Sequence, residues 1–116
     1  MIPYEVSFRD IDSSEFLQSA IEEKIEKIQK HYDHLIGCKV TVSAPHKHQN
    51  QGKIFHIQIQ LKVPGNDIFV NREPELNHAH EDFYIALRDA FEAATRQLDR
   101  LSEKQNKKTK RGKSPH

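Results

Sequence analysis

The sequence predicts one α+β domain in which four strands form a single sheet and two helices cover one of its faces. Two segments, residues 13–33 and 81–104, repeat apolar residues every three or four positions, which is the period of an amphipathic helix. Three other segments alternate apolar and polar residues, which is the period of a half-buried strand, and the short apolar segment 68–71 is a fourth predicted strand. Because each strand has only one apolar face, both helices are expected on the same side of the sheet.

These segments follow one another in the order β-α-β-β-β-α. The four predicted strands are residues 2–8, 38–44, 55–63 and 68–71. Asp12, with Glu15 three residues later, is the expected N-cap of the first helix. The turn-forming residues 64–67, PGND, predict a hairpin between the third and fourth strands. No second domain and no internal repeat is visible in the pattern.

The second helix has a long apolar stripe with a row of cations beside it. Its stripe residues are Phe83, Leu87, Ala90, Phe91, Ala94, Leu98 and Leu101. Arg96, Arg100 and Lys104 stand four residues apart, so they form one row on the helix surface. Such a row is either an ordinary solvated helix face or a series of contacts for phosphates. The helix alone does not decide between the two interpretations.

The charges of the first helix are sorted in a similar way. Lys24, Lys27 and Lys30 lie on one flank of its apolar stripe, and most of its acidic residues lie on the other. Arg96 and Arg100 occupy the same flank relative to the stripe of the second helix. Solvated helices usually intermix charges as i,i+4 pairs, so two sorted flanks favour a surface that binds a polyanion.

The net charge of +1 hides an uneven distribution. Residues 1–103 carry 12 Lys or Arg and 17 Asp or Glu, a net charge of −5, whereas residues 104–116 carry six Lys or Arg and no acid. We therefore expect a domain over residues 1–104 and a basic disordered tail over 105–116. Any interaction with nucleic acid must rest on local patches rather than on the overall charge.

Several functional classes find little support in the sequence. No run approaches the roughly 18 apolar residues of a membrane helix, and the single cysteine, Cys38, forms no internal disulfide, which fits a reducing cytoplasm. The pairs His46/His48 and His78/His80 lie in predicted loops without a third rigid ligand, so no metal site or cofactor is expected. No nucleophile–base pair, phosphate loop or carboxylate pair stands out, so we expect no enzymatic activity.

Three stretches of the sequence carry a resemblance to a known family. They are KIEKIQKHYDHLIGCKVTVSAPHKH, VPGNDIFV and, above all, EDFYIALRDAFEAATRQLDRL. With the predicted strand order, they resemble the ribosome hibernation-promoting factor family, also called ribosome-associated inhibitor, ribosomal subunit interface protein or sigma-54 modulation protein. The resemblance covers residues 4–104, which is nearly the whole predicted domain.

The resemblance implies a fold akin to a double-stranded-RNA-binding domain and a non-enzymatic role in ribosome hibernation. Such a domain sits in the decoding channel of the small ribosomal subunit, contacts 16S rRNA and the proteins of that channel, and blocks mRNA and tRNA during dormancy. It implies a cytoplasmic protein that is a monomer off the ribosome and needs no cofactor. The rRNA-facing positions of the family match Lys24, Lys27, Lys30, Arg96 and Arg100, and Lys104 extends the second row. The expected accessory RNA contacts are His46, Lys47, His48, Arg88, Lys107, Lys108, Lys110 and Arg111.

The chain also departs from its relatives. Ala93 replaces a basic residue found one turn before Arg96 in several of them, and Arg88 stands where a neutral or acidic residue is common. The C-terminal dimerisation domain of the long members has no counterpart here, so we do not expect this chain to pair ribosomes through its own dimer. One alternative function is a protein-interaction module that acts on a transcription regulator through the acidic surface of residues 1–103. A weaker alternative is a metal-dependent hydrolase that uses the loop histidines.

The histidine pairs give a first testable prediction. Protein purified without a histidine tag should contain much less than one equivalent of zinc, and a chelator should leave its melting temperature unchanged. Elemental analysis and thermal melting check both statements. One equivalent of metal that disappears when His46, His48, His78 and His80 are replaced would favour the hydrolase instead.

Overall fold

The computed structural model describes residues 2–44, 54–71 and 82–112, with side chains described up to residue 103. Its elements are β1 (Tyr4–Arg9), α1 (Glu15–His31), β2 (Gly37–Ser43), β3 (His56–Val63), β4 (Asn66–Val70) and α2 (Phe83–Gly112). The predicted order β-α-β-β-β-α and the α+β class are confirmed. No helix in the described ranges is long and apolar enough to cross a membrane.

The four strands form one sheet in the order β1-β2-β3-β4. Strand β1 pairs with β2 in parallel, and the other two neighbouring pairs are antiparallel. The parallel pair requires a crossover, which α1 supplies, whereas the two-residue connection Pro64-Gly65 suffices between β3 and β4. One apolar row crosses the whole sheet through directly paired residues, namely Val6, Val40, Ile59 and Val70.

Both helices pack on the face of the sheet that carries this row. Helix α1 contributes Ile21, Ile25 and Ile28, and α2 contributes Leu87, Phe91 and Leu98, to the same buried cluster as the strand residues. Burying each such side chain stabilises the fold by about 1.5–3 kcal/mol. The expectation that one face of the sheet is covered and the other left open therefore holds for the described residues.

The N-terminus of α1 differs from the prediction, because Ser14 and not Asp12 is the N-cap. The backbone of Ser14 is extended, and its hydroxyl accepts a hydrogen bond from the N–H of Leu17 at 3.4 Å. A cap accepts from the second or third helical residue, and Leu17 is the third residue of a helix that begins at Glu15. Asp12 lies too far upstream to do this. Helix α2 likewise begins at Phe83, with Asp82 accepting from the N–H of Tyr84 at 2.9 Å.

Helix α2 continues beyond the predicted end at residue 104 and stops at Gly112. The backbone of residues 105–112 is therefore helical, which differs from the disordered tail expected over 105–116. The prediction followed the apolar stripe, which ends at Leu101, but no Pro or Gly interrupts the chain before Gly112. The boundary between a domain at 1–104 and a tail stays a prediction.

The hairpin between β3 and β4 is tighter than predicted. Val63 pairs with Asn66, so only Pro64 and Gly65 connect the strands, and β4 begins two residues earlier than expected. Gly65 has φ of +76°, which glycine adopts without the steric penalty of a Cβ. Pro64 followed by a glycine with positive φ is the residue pattern of a type II turn.

The cap of α1 leads to a stability prediction. The Ser14→Ala substitution removes the acceptor for the Leu17 N–H and should lower the free energy of unfolding by about 0.5–1 kcal/mol. The matched change Asp12→Ala removes no cap and should cost less than about 0.5 kcal/mol. Urea denaturation of the two variants checks the difference. A larger loss of stability with Asp12→Ala would place the cap at the predicted position after all.

Candidate nucleic-acid interface

The basic row of α1 is set by the way this helix is anchored. Ile21, Ile25 and Ile28 are fully or almost fully buried, so the orientation of the residues between them is fixed. Lys27 and Lys30 are exposed and Lys24 is half-buried, as expected for a long side chain whose stem lies along the core. Within the described side chains, none of these three lysines is within ion-pair distance of a carboxylate. Their charges are not neutralised there.

Helix α2 presents two comparable cations. Leu98 is fully buried, and Arg96 and Arg100 on either side of it are exposed. Neither arginine forms an ion pair with another residue whose side chain is described. Arg88 differs, because its Nη2 and Nε atoms lie 3.1 and 3.3 Å from Asp89 Oδ1. The adjacent carboxylate offsets much of the charge of Arg88, whereas Arg96 and Arg100 keep theirs.

One polar contact joins the two helices directly. His31 Nε2, in the last turn of α1, lies 2.7 Å from Asp99 Oδ1 on α2. Because a carboxylate only accepts hydrogen bonds, the histidine ring nitrogen is the donor. Both side chains remain about half exposed, at 45% for His31 and 54% for Asp99. The contact shows which side of each helix faces the other.

The direction of the other cations follows from this contact and from helical geometry. At about 100° per residue, Lys24 and Lys27 lie within about 40° of the direction of His31, so they are on the side of α1 that faces α2. Arg88 is within about 20° of the direction of Asp99, on the side of α2 that faces α1. Viewed down the axis of α2, Arg96 points about 60° and Arg100 about 100° away from the direction of Asp99. Both are rotated in the same sense, away from α1.

The two basic rows therefore do not form one flat strip. The sequence pattern puts both rows on the same flank of their stripes, which is correct for each helix taken alone. The contact between His31 and Asp99 shows, however, that opposite flanks of these two helices face each other. Lys24 and Lys27 border the groove between the helices, whereas Arg96 and Arg100 lie on the outer surface of α2. Of the three α2 arginines whose side chains are described, Arg88 is the one on the side that faces these lysines.

The open face of the sheet offers little for stacking on bases. Its described side chains are mostly amides, hydroxyls and charged groups, and Phe69 is the one Phe, Tyr or Trp among them, at 60% exposure. Gln58 donates to Asn71 at 3.1 Å and Gln60 to Asp67 at 3.4 Å, so part of this face is hydrogen-bonded to itself. A surface that binds single strands by stacking carries several aromatics. The expectation that the helices carry any nucleic-acid site agrees with this composition.

Several predicted contacts are outside the described part. His46, Lys47 and His48, as well as His78 and His80, lie outside the described residues. For Lys104, Lys107, Lys108, Lys110 and Arg111 the structure gives a helical backbone but no side-chain position. Among the described residues, no group of three or more His, Cys, Asp or Glu could hold a metal ion.

Cys38 is buried in the core at the start of β2. Burial raises the pKa of its thiol to about 12. The thiol is therefore protonated at neutral pH and is a poor nucleophile. Its position agrees with the structural role that the sequence suggests for it.

The contact between His31 and Asp99 is the feature of this surface that sequence reasoning missed. The two residues are 68 positions apart, so no helical period connects them. In the sequence, His31 is only one more basic residue on the flank of α1, and Asp99 is only one surface acid. Sequence periodicity reports which residues share a face of one helix, but it does not report which faces of two helices meet.

Comparisons with known proteins extend these observations. A family described as "Sigma 54 modulation protein / S30EA ribosomal protein" matches residues 4–106. The N-terminal domain of Protein Y from Thermus thermophilus has a similar structure, with a TM-score of 0.63 and 22% identity over 87% of this chain and 99% of that one. A ribosomal subunit interface protein from Coxiella burnetii gives a TM-score of 0.68 and 18% identity, over 88% and 99% of the two chains. Both likenesses concern the fold.

Two proteins related in sequence carry names that refer to ribosome hibernation. A ribosome hibernation promoting factor of Azotobacter vinelandii is 28% identical over 86% of this chain and 82% of its own length. A ribosome hibernation promotion factor of Deinococcus radiodurans is 24% identical over 95% of this chain, but this chain spans only 54% of that relative. The family match covers most of the chain and includes α1 and α2 as far as residue 106. This chain therefore belongs to the Sigma 54 modulation protein / S30EA ribosomal protein family.

Proposed function

We propose that this protein is a ribosome-binding stasis factor that inhibits translation during dormancy. The observation that carries the proposal is the set of exposed or half-exposed cations on the two helices, which have no carboxylate partner among the described side chains. The set consists of Lys24, Lys27, Lys30, Arg96 and Arg100. The names of the relatives, which refer to ribosome hibernation and to the ribosomal subunit interface, support the same role.

The chemistry of these cations fits phosphate groups of folded RNA. Each Lys or Arg that neutralises a phosphate releases condensed counterions, which favours binding even when the whole protein has a net charge of only +1. Phosphate contacts position a protein on a nucleic acid without reading its sequence. The lysines of α1 and the arginines of α2 lie on different sides of α2. A folded RNA presents phosphates in several directions, so it fits this arrangement better than one extended strand does.

We place the binding site in the decoding channel of the small ribosomal subunit, against 16S rRNA and the proteins of that channel. A domain bound there excludes mRNA and tRNA by occupying their positions, so inhibition requires no chemical step and no cofactor. The protein acts in the cytoplasm, where ribosomes are found, and is a monomer off the ribosome. The buried, protonated thiol of Cys38 supports a role without nucleophilic chemistry.

Two double substitutions test the helix surfaces separately. Lys24→Gln with Lys27→Gln removes charge from the groove between the helices, and Arg96→Gln with Arg100→Gln removes charge from the outer face of α2. Each pair should weaken binding to ribosomes, while stability changes by less than about 0.5 kcal/mol for each exposed residue. The slope of log affinity against log salt should become shallower by roughly 0.7–0.9 for each phosphate that the protein no longer neutralises. Cosedimentation with ribosomes over a salt series measures both quantities.

The matched control removes two charges from the opposite side of the molecule. Arg9 and Lys62 are exposed on the open face of the sheet, so Arg9→Gln with Lys62→Gln changes the net charge equally without touching the helices. This variant should bind almost as well as the wild type, and inhibition of cell-free translation should follow binding in all variants. Equally weakened binding in the control and the helix variants would mean that overall charge, and not a defined surface, governs binding. Binding that survives removal of the rRNA would instead favour a protein partner.

Removal of residues 106–116 tests the basic C-terminal segment. Among the side chains of α2 that the structure describes, Leu98 is the last buried one and Leu101 is partly buried, so a chain that stops at Gln105 should fold with an unchanged melting temperature. Its binding to ribosomes should weaken most at low salt and its salt slope should become shallower, because counterion release by the cations of this segment contributes most at low salt. Circular dichroism melting and cosedimentation check the two expectations. A truncated chain that fails to fold would show that the segment belongs to the domain.

A further inference from the structure

Asp99 is an acid in the middle of the cations proposed to contact phosphates. It is three residues after Arg96 and directly before Arg100, and it is half exposed. Side chains three residues apart on a helix are neighbours, so the Asp99 carboxylate is within reach of the Arg96 guanidinium. An unrestrained carboxylate at this position would compete with phosphates for Arg96 and would repel the phosphates themselves.

In the structure the Asp99 carboxylate contacts the other helix and forms an ion pair with neither arginine. Its Oδ1 lies 2.7 Å from Nε2 of His31 on the other helix, and neither Arg96 nor Arg100 comes within 4.0 Å of it. The distance is typical of a charge-assisted hydrogen bond, which is stronger than one between neutral groups. His31 thus holds the carboxylate on the side of α2 that faces α1.

We infer that His31 is a positioning residue, which keeps the Asp99 carboxylate off Arg96 and Arg100 so that both guanidinium groups are free for phosphates. This inference rests on the proposed function. It assigns His31 a role that differs from that of the lysines on the same helix. Those lysines act through their own charge on the RNA, whereas His31 acts through Asp99. The effect of removing His31 should therefore be reversed by removing Asp99 as well.

A double-mutant cycle on ribosome binding tests this role. His31→Ala releases Asp99 and should weaken binding by roughly two- to fivefold, the size of one surface ion pair, with a shallower salt slope. Asp99→Ala alone removes a repulsive charge and should bind at least as tightly as the wild type. The double variant should recover the affinity and salt slope of Asp99→Ala. The melting temperatures of all three should stay within a few degrees of the wild type, because both side chains are half exposed.

Glu92 provides the matched control for this cycle. It is exposed and stands one turn before Arg96, but within the described side chains it has no ion-pair partner. Glu92→Ala should tighten binding by the same factor with His31 present or absent, whereas the effect of Asp99→Ala should depend on His31. This contrast separates the inference from a general effect of removing acids.

The outcomes that overturn the inference are distinct from failure of the proposed function. If wild-type protein does not bind ribosomes at all, the proposed function fails. If the wild type binds but His31→Ala is neutral, or its weaker binding persists in the double variant, His31 does not act through Asp99. Weaker binding by Asp99→Ala alone would show that the contact serves only to hold the helices together, and would also contradict the inference.

Discussion

The one-sided burial of the sheet determines the rest of this structure. Every strand has an apolar face, and the row from Val6 to Val70 can leave water only if something covers it. Two helices with complementary stripes do so, and Ile25 and Leu98 of these helices are completely buried. Because the stripes must face the sheet, the remaining side chains of both helices are held at fixed angles to it. The positions of Lys24, Lys27, Lys30, Arg96 and Arg100 on the helix surfaces follow from this packing.

Local charge matters more than total charge in such a domain. The acids outnumber the bases over residues 1–103, yet the surface divides into regions where carboxylates have partners and regions where cations have none among the described side chains. Arg88 forms an ion pair with Asp89, and Asp99 is hydrogen-bonded to His31. Arg96, Arg100 and the lysines of α1 keep their charge. A pI of 7.9 therefore says little about affinity for a polyanion, which depends on unpaired charges at short range.

The parts of the fold that could be predicted from sequence are those set by local periodicity. Alternation predicts the first three strands, and steps of three and four predict both helices, because these periods follow from backbone geometry alone. The wrong predictions concern the ends of the helices, where the periodicity of the sequence gives no information. Asp12 and Ser14 are both good caps by residue type, and only the backbone shows that the helix begins after Ser14. The predicted end of α2 coincides with the end of the apolar stripe, although a helix without breakers continues past its last core contact.

The residues of the candidate site could be predicted from the sequence, but the relative position of its two basic rows could not. Charge sorting identifies Lys24, Lys27, Arg96 and Arg100 from sequence, since each helix can be analysed by itself. Whether the two rows meet depends on which flanks of the helices face each other, and that is a tertiary property. In this fold it is revealed by one contact between residues 68 positions apart.

The shape of the surface bears on what it can bind. A helix with its side chains is about 10–12 Å across, so cations on two sides of α2 reach groups that are separated by a comparable distance. A single extended strand has its phosphates along one line and would engage one row at a time. A folded RNA has phosphate chains on both sides of a groove at such separations, and it can engage both rows together. The geometry of the two helices thus favours recognition of RNA shape over recognition of sequence.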